Sequence, residues 1–261
     1  MQQAQIVDYQ SPRFGGPYGL QAYLIPPQFT QKVVFEGPWI PIAGAKAASL
    51  EIAGSLGGGT ISLQLVGTND PVVAGINRYT VTLGGSVTTG DTITATFTNP
   101  NLPAGSEAVT YTTIGGDTTT TIATALAAAI NADTNLQSVG IGATSAAAVV
   151  TIEFPSITYQ SPAPAVGSNP ASSGSSQGYA NFTIVAMTIG GSATETATVA
   201  ADTNGTPLPA SAIGSGANPI VGASFPGLIA LSAPYPLFIK ARMAAMSGTS
   251  PSVTASLTAA V

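Results

Sequence analysis

The chain has no histidine and no cysteine, and charged residues make up only 7% of its 261 positions. Each shortage closes a class of function. Without histidine, the commonest general base and the commonest metal ligand are missing. Without cysteine there are no disulfides and no thiolate chemistry, which fits synthesis in a reducing compartment. Six basic residues against eleven acidic ones give a net charge of −5, which argues against a nucleic-acid groove. Thr, Ser, Ala and Gly replace the missing charge. A surface of that kind suits a subunit covered by neighbours better than a freely diffusing one, so the composition points to assembly. The first residues, MQQAQIVDYQ, have neither a basic n-region nor an apolar h-region, so no signal peptide is expected. Ile220 to Ile239 is long and uncharged, but Pro226, Pro234 and Pro236 make it read as buried strands and turns rather than a membrane span.

What the chain does have is period-two patterning. From Ala47 to Asp70, Leu50 and Ile52 alternate with Ser49 and Glu51; Gly57-Gly58-Gly59 then breaks the chain, and Ile61, Leu63 and Leu65 alternate with Ser62 and Gln64. This predicts a half-buried hairpin that needs partner strands. A matching pair lies at the C-terminus. There Leu237–Met243 and Ser252–Ala260 flank the turn Ser247–Pro251, with Leu228–Leu231 as a further strand.

Between these two ends the character changes. From Tyr79 to Ile239 there are seven acids and no base, whereas the rest of the chain holds six bases and four acids. Such asymmetry predicts a module inserted into a host fold. Within it, Thr80–Thr98 reads as a Thr-alternating hairpin and Ala108–Ile114 as a strand. Ile122, Leu126 and Ile130 at four-residue spacing predict a helix at about 118–134, capped by Asp117 or Thr118. Val139–Phe154 reads as strand with a turn at Gly142–Ala148, and Pro155–Gly178 as a long loop. Thr188-Ile-Gly-Gly-Ser-Ala-Thr194 echoes Thr82-Leu-Gly-Gly-Ser-Val-Thr88.

The expected fold is mainly β: an antiparallel β-sandwich from 32–78 plus 220–261, split by a β-rich module at 79–219 that carries one helix. Residues 1–31, rich in Pro, Gly and aromatics, are expected to form an extended arm packed either on its own domain or on a neighbouring subunit.

SLEIAGSLGGGTISLQLVGTND, followed much later by the Pro-Tyr lead-in, LFIKARMAAMSG and SVTASLTA, resembles a small β-sandwich common among tailed-bacteriophage structural proteins. The corner Gly67-Thr68-Asn69-Asp70 and the strand Tyr235 to Arg242 carry the resemblance. The middle, with GGSVTTGDTITATFT, YTTIGGDTTTTIATALAAAINADTN and GIGATSAAAVVTIEF, is similar to another phage virion module. Here about 160 residues separate the halves of a sandwich that is normally continuous; the other arrangement is two or three sequential β domains.

Catalytic signals are thin. A serine nucleophile needs a base, and only Lys32, Lys46 and Lys240 could stand in. Lys240-Ala241-Arg242 reads as the solvent face of a strand. Glu51, Glu107, Glu153 and Glu195 each sit singly, with no second carboxylate to make a glycosidase pair. Asp70, Asp91, Asp117, Asp133 and Asp202 precede turns or helix starts and read as caps, not as a Ca²⁺ loop. Gly84-Gly85, Gly115-Gly116 and Gly190-Gly191 lead into no phosphate-binding pattern. Trp39 reads as core or interface packing with its N–H satisfied, or as a sugar-stacking platform.

No catalytic, cofactor-binding or metal residue is therefore expected. The resemblance implies a non-enzymatic virion subunit made in the host cytoplasm: a head decoration or cement protein, a head fibre or a neck component. Its partners would be capsid, neck or tail subunits and copies of itself, with no nucleic acid and no membrane. The alternative is a receptor- or glycan-binding tail or fibre module that contacts host surface glycan.

Overall fold

The computed structural model describes residues 19–156, 183–201, 204–223, 225 and 227–260. In chain order it opens with β1 (Gly19–Phe29), β2 (Phe35–Glu36), β3 (Ile40–Pro41), β4 (Ala47–Ser55), β5 (Ile61–Thr68) and the short α1 (Pro71–Ala74). Then come β6 (Ile76–Gly85), β7 (Thr92–Thr98), β8 (Ser106–Thr112), α2 (Thr119–Ala132), α3 (Thr134–Ser138), β9 (Gly142–Ala146) and β10 (Val149–Pro155). The chain continues with β11 (Ile184–Gly190), β12 (Glu195–Ala201), β13 (Thr206–Pro207), β14 (Ile220–Gly222), β15 (Gly227–Leu231), β16 (Phe238–Met246) and β17 (Ser252–Ala260). Among the described residues the fold is mainly β and antiparallel, with sandwich-like sheets, three α-helices and a 3-10 turn at Ala210–Ala212.

The described residues divide into two compact units. The first takes 19–75, residue 156 and the described part of 205–260; the second takes Ile76–Pro155 and Thr183–Asn204. The boundaries differ from those expected. The chain returns to the first unit at Gly205 rather than at 220, because β13 pairs with β5 and the Asn218 side chain bonds the Leu65 backbone in both directions. Residues 205–219 carry no charge, so the charge asymmetry could not reveal this return. The expected arm also ends early: Gly19–Phe29 is a strand of the first unit, paired with β17. Residues 1–18 and 157–182 lie outside the described residues, and with them the expected arm proper and most of the long loop.

In the first unit one sheet has the order β1-β17-β4-β15; the other has β13-β5-β16-β2, with β14 also on β5 and β3 also on β16. The early strands take their partners from the far end of the chain, as the patterning predicts. β4 pairs with β17 from Ala47↔Ala260 to Ser55↔Ser252, and β5 with β16 from Ile61↔Met246 to Thr68↔Phe238. Leu50, Ile52, Leu63 and Leu65 are buried, and so are Ile239, Ala241, Met243, Val253, Ala255 and Leu257.

The expected hairpins are not hairpins. β4 and β5 lie in different sheets, and Leu56–Thr60 carries the chain from one to the other. β16 and β17 are divided in the same way, and Ser247–Pro251 bridges them. Alternation says which face of a strand is buried; it does not say whether the next strand lies beside it or across the core. These two arches lock together. Ser247 N–H donates to Thr60 O at 2.9 Å, Thr60 N–H to Ser247 Oγ at 2.9 Å, and Thr249 N–H to Gly57 O at 3.0 Å. The backbones are so close that a Cβ on Gly59 would meet Ser247 O at 2.0 Å, and one on Gly248 would meet Leu56 O at 1.7 Å. Only glycine allows that approach.

The second unit repeats the device. Its sheets run β12-β6-β10-β9 and β11-β7-β8. β6 crosses into β7 through Ser86–Asp91, so Thr80–Thr98 is an arch rather than the expected hairpin, and β11 crosses into β12 through Gly191–Thr194. The arches face each other, β6 pairing with β12 and β7 with β11. On the opposite side α2 packs against β8, β9, β10 and β6, burying Ile122, Leu126 and Ile130. It starts one residue later and stops two residues earlier than expected. A capping box of Thr118 and Thr121 opens it; Asp133 closes it by capping α3, its Oδ1 accepting from Leu136 N–H at 2.9 Å. Gly142–Ala146, expected as a turn, is β9, paired with β10. Its small residues are accepted in a strand because α2 lies against it.

Candidate functional site

The first unit carries a buried charge cluster. Glu36, on β2, lies opposite Arg242 on β16. Arg242 Nε is 2.6 Å from Glu36 Oε1, and Lys240 Nζ contacts Glu36 Oε2. The side chains of Glu36 and Lys240 are fully buried. Lys240 Nζ also sits 4.6 Å from the centre of the Trp39 ring, a cation–π contact. This corrects the reading of Lys240-Ala241-Arg242 as a solvent face. Both faces of β16 are covered here: Ile239 and Ala241 are buried on one, and on the other the Trp39 side chain lies against Lys240 and Phe238, while the strand carrying Glu36 runs beside β16 in the same sheet. A buried charge is tolerated only when paired, and Glu36 supplies the pairing.

Trp39 packs with Val66, Ala74, Val73 and Phe238 and has no exposed surface, so it offers no platform to a sugar. Its backbone N–H donates to Ser156 Oγ at 3.1 Å. Among the described residues its buried indole Nε1 has no hydrogen-bond partner, where a satisfied N–H was expected. The Lys240 cation engages the π face of the same ring.

The second unit carries a buried pair of acids that sequence reading treated as isolated. Asp91 and Glu195 are each 4% exposed, and the two carboxyls are near neighbours. Asp91 accepts from Ser192 Oγ at 2.6 Å, Ser192 N–H at 2.8 Å and Ala193 N–H at 3.1 Å. The Ser192 donors, with lesser help from Glu195 and Ala193, hold the Asp91 carboxyl below the usual aspartate range, against the opposing effect of burial. Glu195 Oε1 accepts from Thr88 N–H at 2.6 Å. The two acids join the facing arches.

The remaining candidates are dispersed. Glu153 pairs with Arg78 at 2.7 Å, Glu107 accepts from Asn135 Nδ2 at 2.6 Å, and Glu51 is exposed. Lys32 and Lys46 are exposed. Asp70 caps α1 through Val72 N–H at 2.8 Å. Asp117 accepts from Ile114 N–H, Thr121 Oγ1 and Tyr111 OH; the Ile114 bond, then those from Thr121 and Tyr111, hold its carboxyl low, while the same partnership raises the Tyr111 phenol. Asp202 lies outside the described residues. Among the described residues no group of three acids gathers as a metal site, and no helix is long and apolar enough to cross a membrane.

One surface feature remains. β14 lies in one sheet of the first unit and β15 in the other, so the chain between them forms a third arch beside Leu56–Thr60. Unlike the sealed side against Ser247–Pro251, this side leaves an open groove of about 450 Å³. Ile52–Gly58 line one wall and Ala223, Phe225 and Gly227 the other. Val221 and Leu228, just outside the third arch, are 65% and 72% exposed. Compared with known proteins, the chain matches no family model, no curated protein and no solved structure.

Proposed function

We propose that this chain is a non-enzymatic structural subunit of a bacteriophage particle, a head decoration, cement, head-fibre or neck protein that binds capsid or neighbouring subunits. The observation that carries the reading is the closure of the first unit. β4 and β5 take β17 and β16 as partners from the other end of the chain, and glycine-tight arches lock the pair. The second unit, Ile76–Pro155 and Thr183–Asn204, is thus an insertion in a unit closed by its own two ends, as suits a part that presents a module. The groups best suited to chemistry, Lys240, Glu36, Asp91 and Glu195, are engaged in holding strands and arches together. The resemblance to phage structural sandwiches and the 7% charge point the same way. The glycan-binding alternative takes Tyr residues and Trp39 as stacking surfaces, and of these Trp39 is enclosed.

The test is direct. Phage particles purified from the lysate in which the chain is made are analysed by quantitative protein mass spectrometry. The reading expects the chain in fixed copy number per particle after high-salt washing. Its absence from washed particles would overturn the reading.

A further inference from the structure

Asn204 is the last residue of the second unit, and Gly205 is the first after the chain returns to the first unit. Asn204 is also the only asparagine in the sequence that is followed by glycine. Asparagine is a labile residue because the backbone nitrogen of the next residue can attack its side-chain amide. A Cβ on that next residue hinders the approach, and a proline nitrogen has no hydrogen to lose. Asn99 and Asn218 precede prolines. Asn69, Asn77, Asn101, Asn131 and Asn135 precede residues that carry a Cβ.

The fold fixes both members of the pair. Gly205 has φ +83, and a Cβ there would meet Trp39 Cη2 at 2.6 Å and Val66 Cγ1 at 2.7 Å. Packing around the buried Trp39 therefore demands glycine. Asn204 Nδ2 donates to Ile76 O at 2.8 Å. Ile76 opens the second unit and Asn204 ends it, so this bond ties the unit's exit to its entrance. An aspartate at 204 would have no such donor. The labile dipeptide is thus held in place by two separate structural demands.

The fold also leaves the reaction open. Both residues lie outside any strand or helix, and both are half-buried, within reach of solvent base. Among the described residues the Gly205 N–H donates no hydrogen bond, so the attacking nitrogen is not held. Asn131 differs in this respect: it lies inside α2, where the N–H of the next residue belongs to the helix ladder.

We propose that Asn204 is a site of spontaneous deamidation in the folded chain, and that the reaction releases its tie to Ile76. The Gly205 nitrogen gives its proton to solvent base and bonds to Asn204 Cγ. The Cγ–Nδ2 bond breaks, ammonia leaves, and a cyclic succinimide remains. Water opens that ring at either carbonyl, giving an aspartyl or an isoaspartyl residue. Base and water are the only co-reactants. Either product replaces the amide donor by a carboxylate, which accepts but does not donate, so the bond to Ile76 O is lost. The chain gains one negative charge.

The full chain is aged at neutral and at mildly alkaline pH, folded and in guanidinium chloride, and its peptic peptides are weighed. The folded chain should gain one mass unit at Asn204 at a rate within about tenfold of the denatured chain, since loop residues open at little cost. The rate should rise with pH, and Asn131 and Asn218 should stay unmodified. Asn204→Gln, whose cyclisation would need a larger ring, should stay unmodified too. In the aged chain the amides of Ile76–Tyr79 should exchange about two- to tenfold faster, the weight of one lost hydrogen bond. Asn204→Asp should reproduce that increase without ageing. A folded rate below about one-hundredth of the denatured rate would mean that the fold blocks the attack, and would overturn the proposal. Complete modification with unchanged exchange across Ile76–Tyr79 would overturn the release.

Discussion

Thr88 Oγ1 and Thr194 Oγ1 lie 2.7 Å apart, and each is the last residue of its copy of the Thr-x-Gly-Gly-Ser-x-Thr motif. The repeat is therefore a contact as well as an echo. Each copy ends one strand and begins the crossing to the opposite sheet, and the two crossings meet at equivalent residues. Thr194 Oγ1 also donates to Ser86 O at 2.7 Å, and Ser86 N–H to Thr194 O at 3.2 Å. The first unit closes by the same arrangement of facing arches, and in both units glycines admit the close approach: a Cβ on Gly85 would meet Thr194 O at 2.2 Å.

The glycine lock of the first unit separates strain from collision. Gly58 has φ +78 with open space around a Cβ, whereas Gly59 and Gly248 face backbone oxygens at 2.0 and 1.7 Å. Gly58→Ala should cost about 1 kcal/mol, the penalty of a left-handed backbone alone. Gly59→Ala and Gly248→Ala should each cost at least about 3 kcal/mol, at the upper end for overpacking. Urea unfolding of the three variants checks the ranking, and equal costs would mean that the arches are not in contact.

Lys240 should behave as a buried partner. Lys240→Ala leaves part of the Glu36 charge uncompensated and should destabilise by about 3–5 kcal/mol. In a double-mutant cycle Glu36→Gln should couple to it by about 0.5–3 kcal/mol. A loss within about 0.5 kcal/mol, as for an exposed lysine, would place Lys240 at the surface.

The second unit should have a flat stability plateau with two shoulders. Asp91 and Asp117 are held below the usual aspartate value by hydrogen-bond donors, so their stabilising effect is present above about pH 4 and is lost as pH falls through their lowered folded values. Tyr111 is raised, so its contribution is complete below about pH 10 and is lost as pH climbs through the raised folded value. Thermal melts of the full chain from pH 3 to 11 test both limbs. Asp91→Asn should lower the melting midpoint at neutral pH and shrink the acid limb, whereas an unchanged acid limb would remove Asp91 from the account.

Much of this fold is written as periodicity. The alternation around Leu50, Leu63 and Val253 marks the buried faces, and the distant pairing of β4 and β5 with the C-terminal strands follows from their matched size. The spacing of Ile122, Leu126 and Ile130 places α2. Pattern does not distinguish an arch from a hairpin, because both bury alternate residues; all three misread hairpins share this cause. Nor does composition reveal Lys240. A lysine between Ile239 and Ala241 looks exposed until Glu36 and Trp39, 200 residues earlier, are brought over it. Asp91 and Glu195 were legible as single acids, and only the meeting of the two motif copies makes them a pair. Residues 205–219 returned to the first unit unseen because their anchor is the Asn218 amide, not a hydrophobic pattern.

The central claim is that β4–β5 and β16–β17 close on each other as one body across the length of the chain. Native-state hydrogen exchange of the full chain, followed peptide by peptide across a urea series, measures this most directly. The account predicts that amides of Leu50–Ile52, Leu63–Val66, Ile239–Met243 and Val253–Leu257 share one opening free energy and one urea dependence. Release of Ser252–Ala260 by a smaller opening, with Ala47–Thr68 still protected, would contradict it.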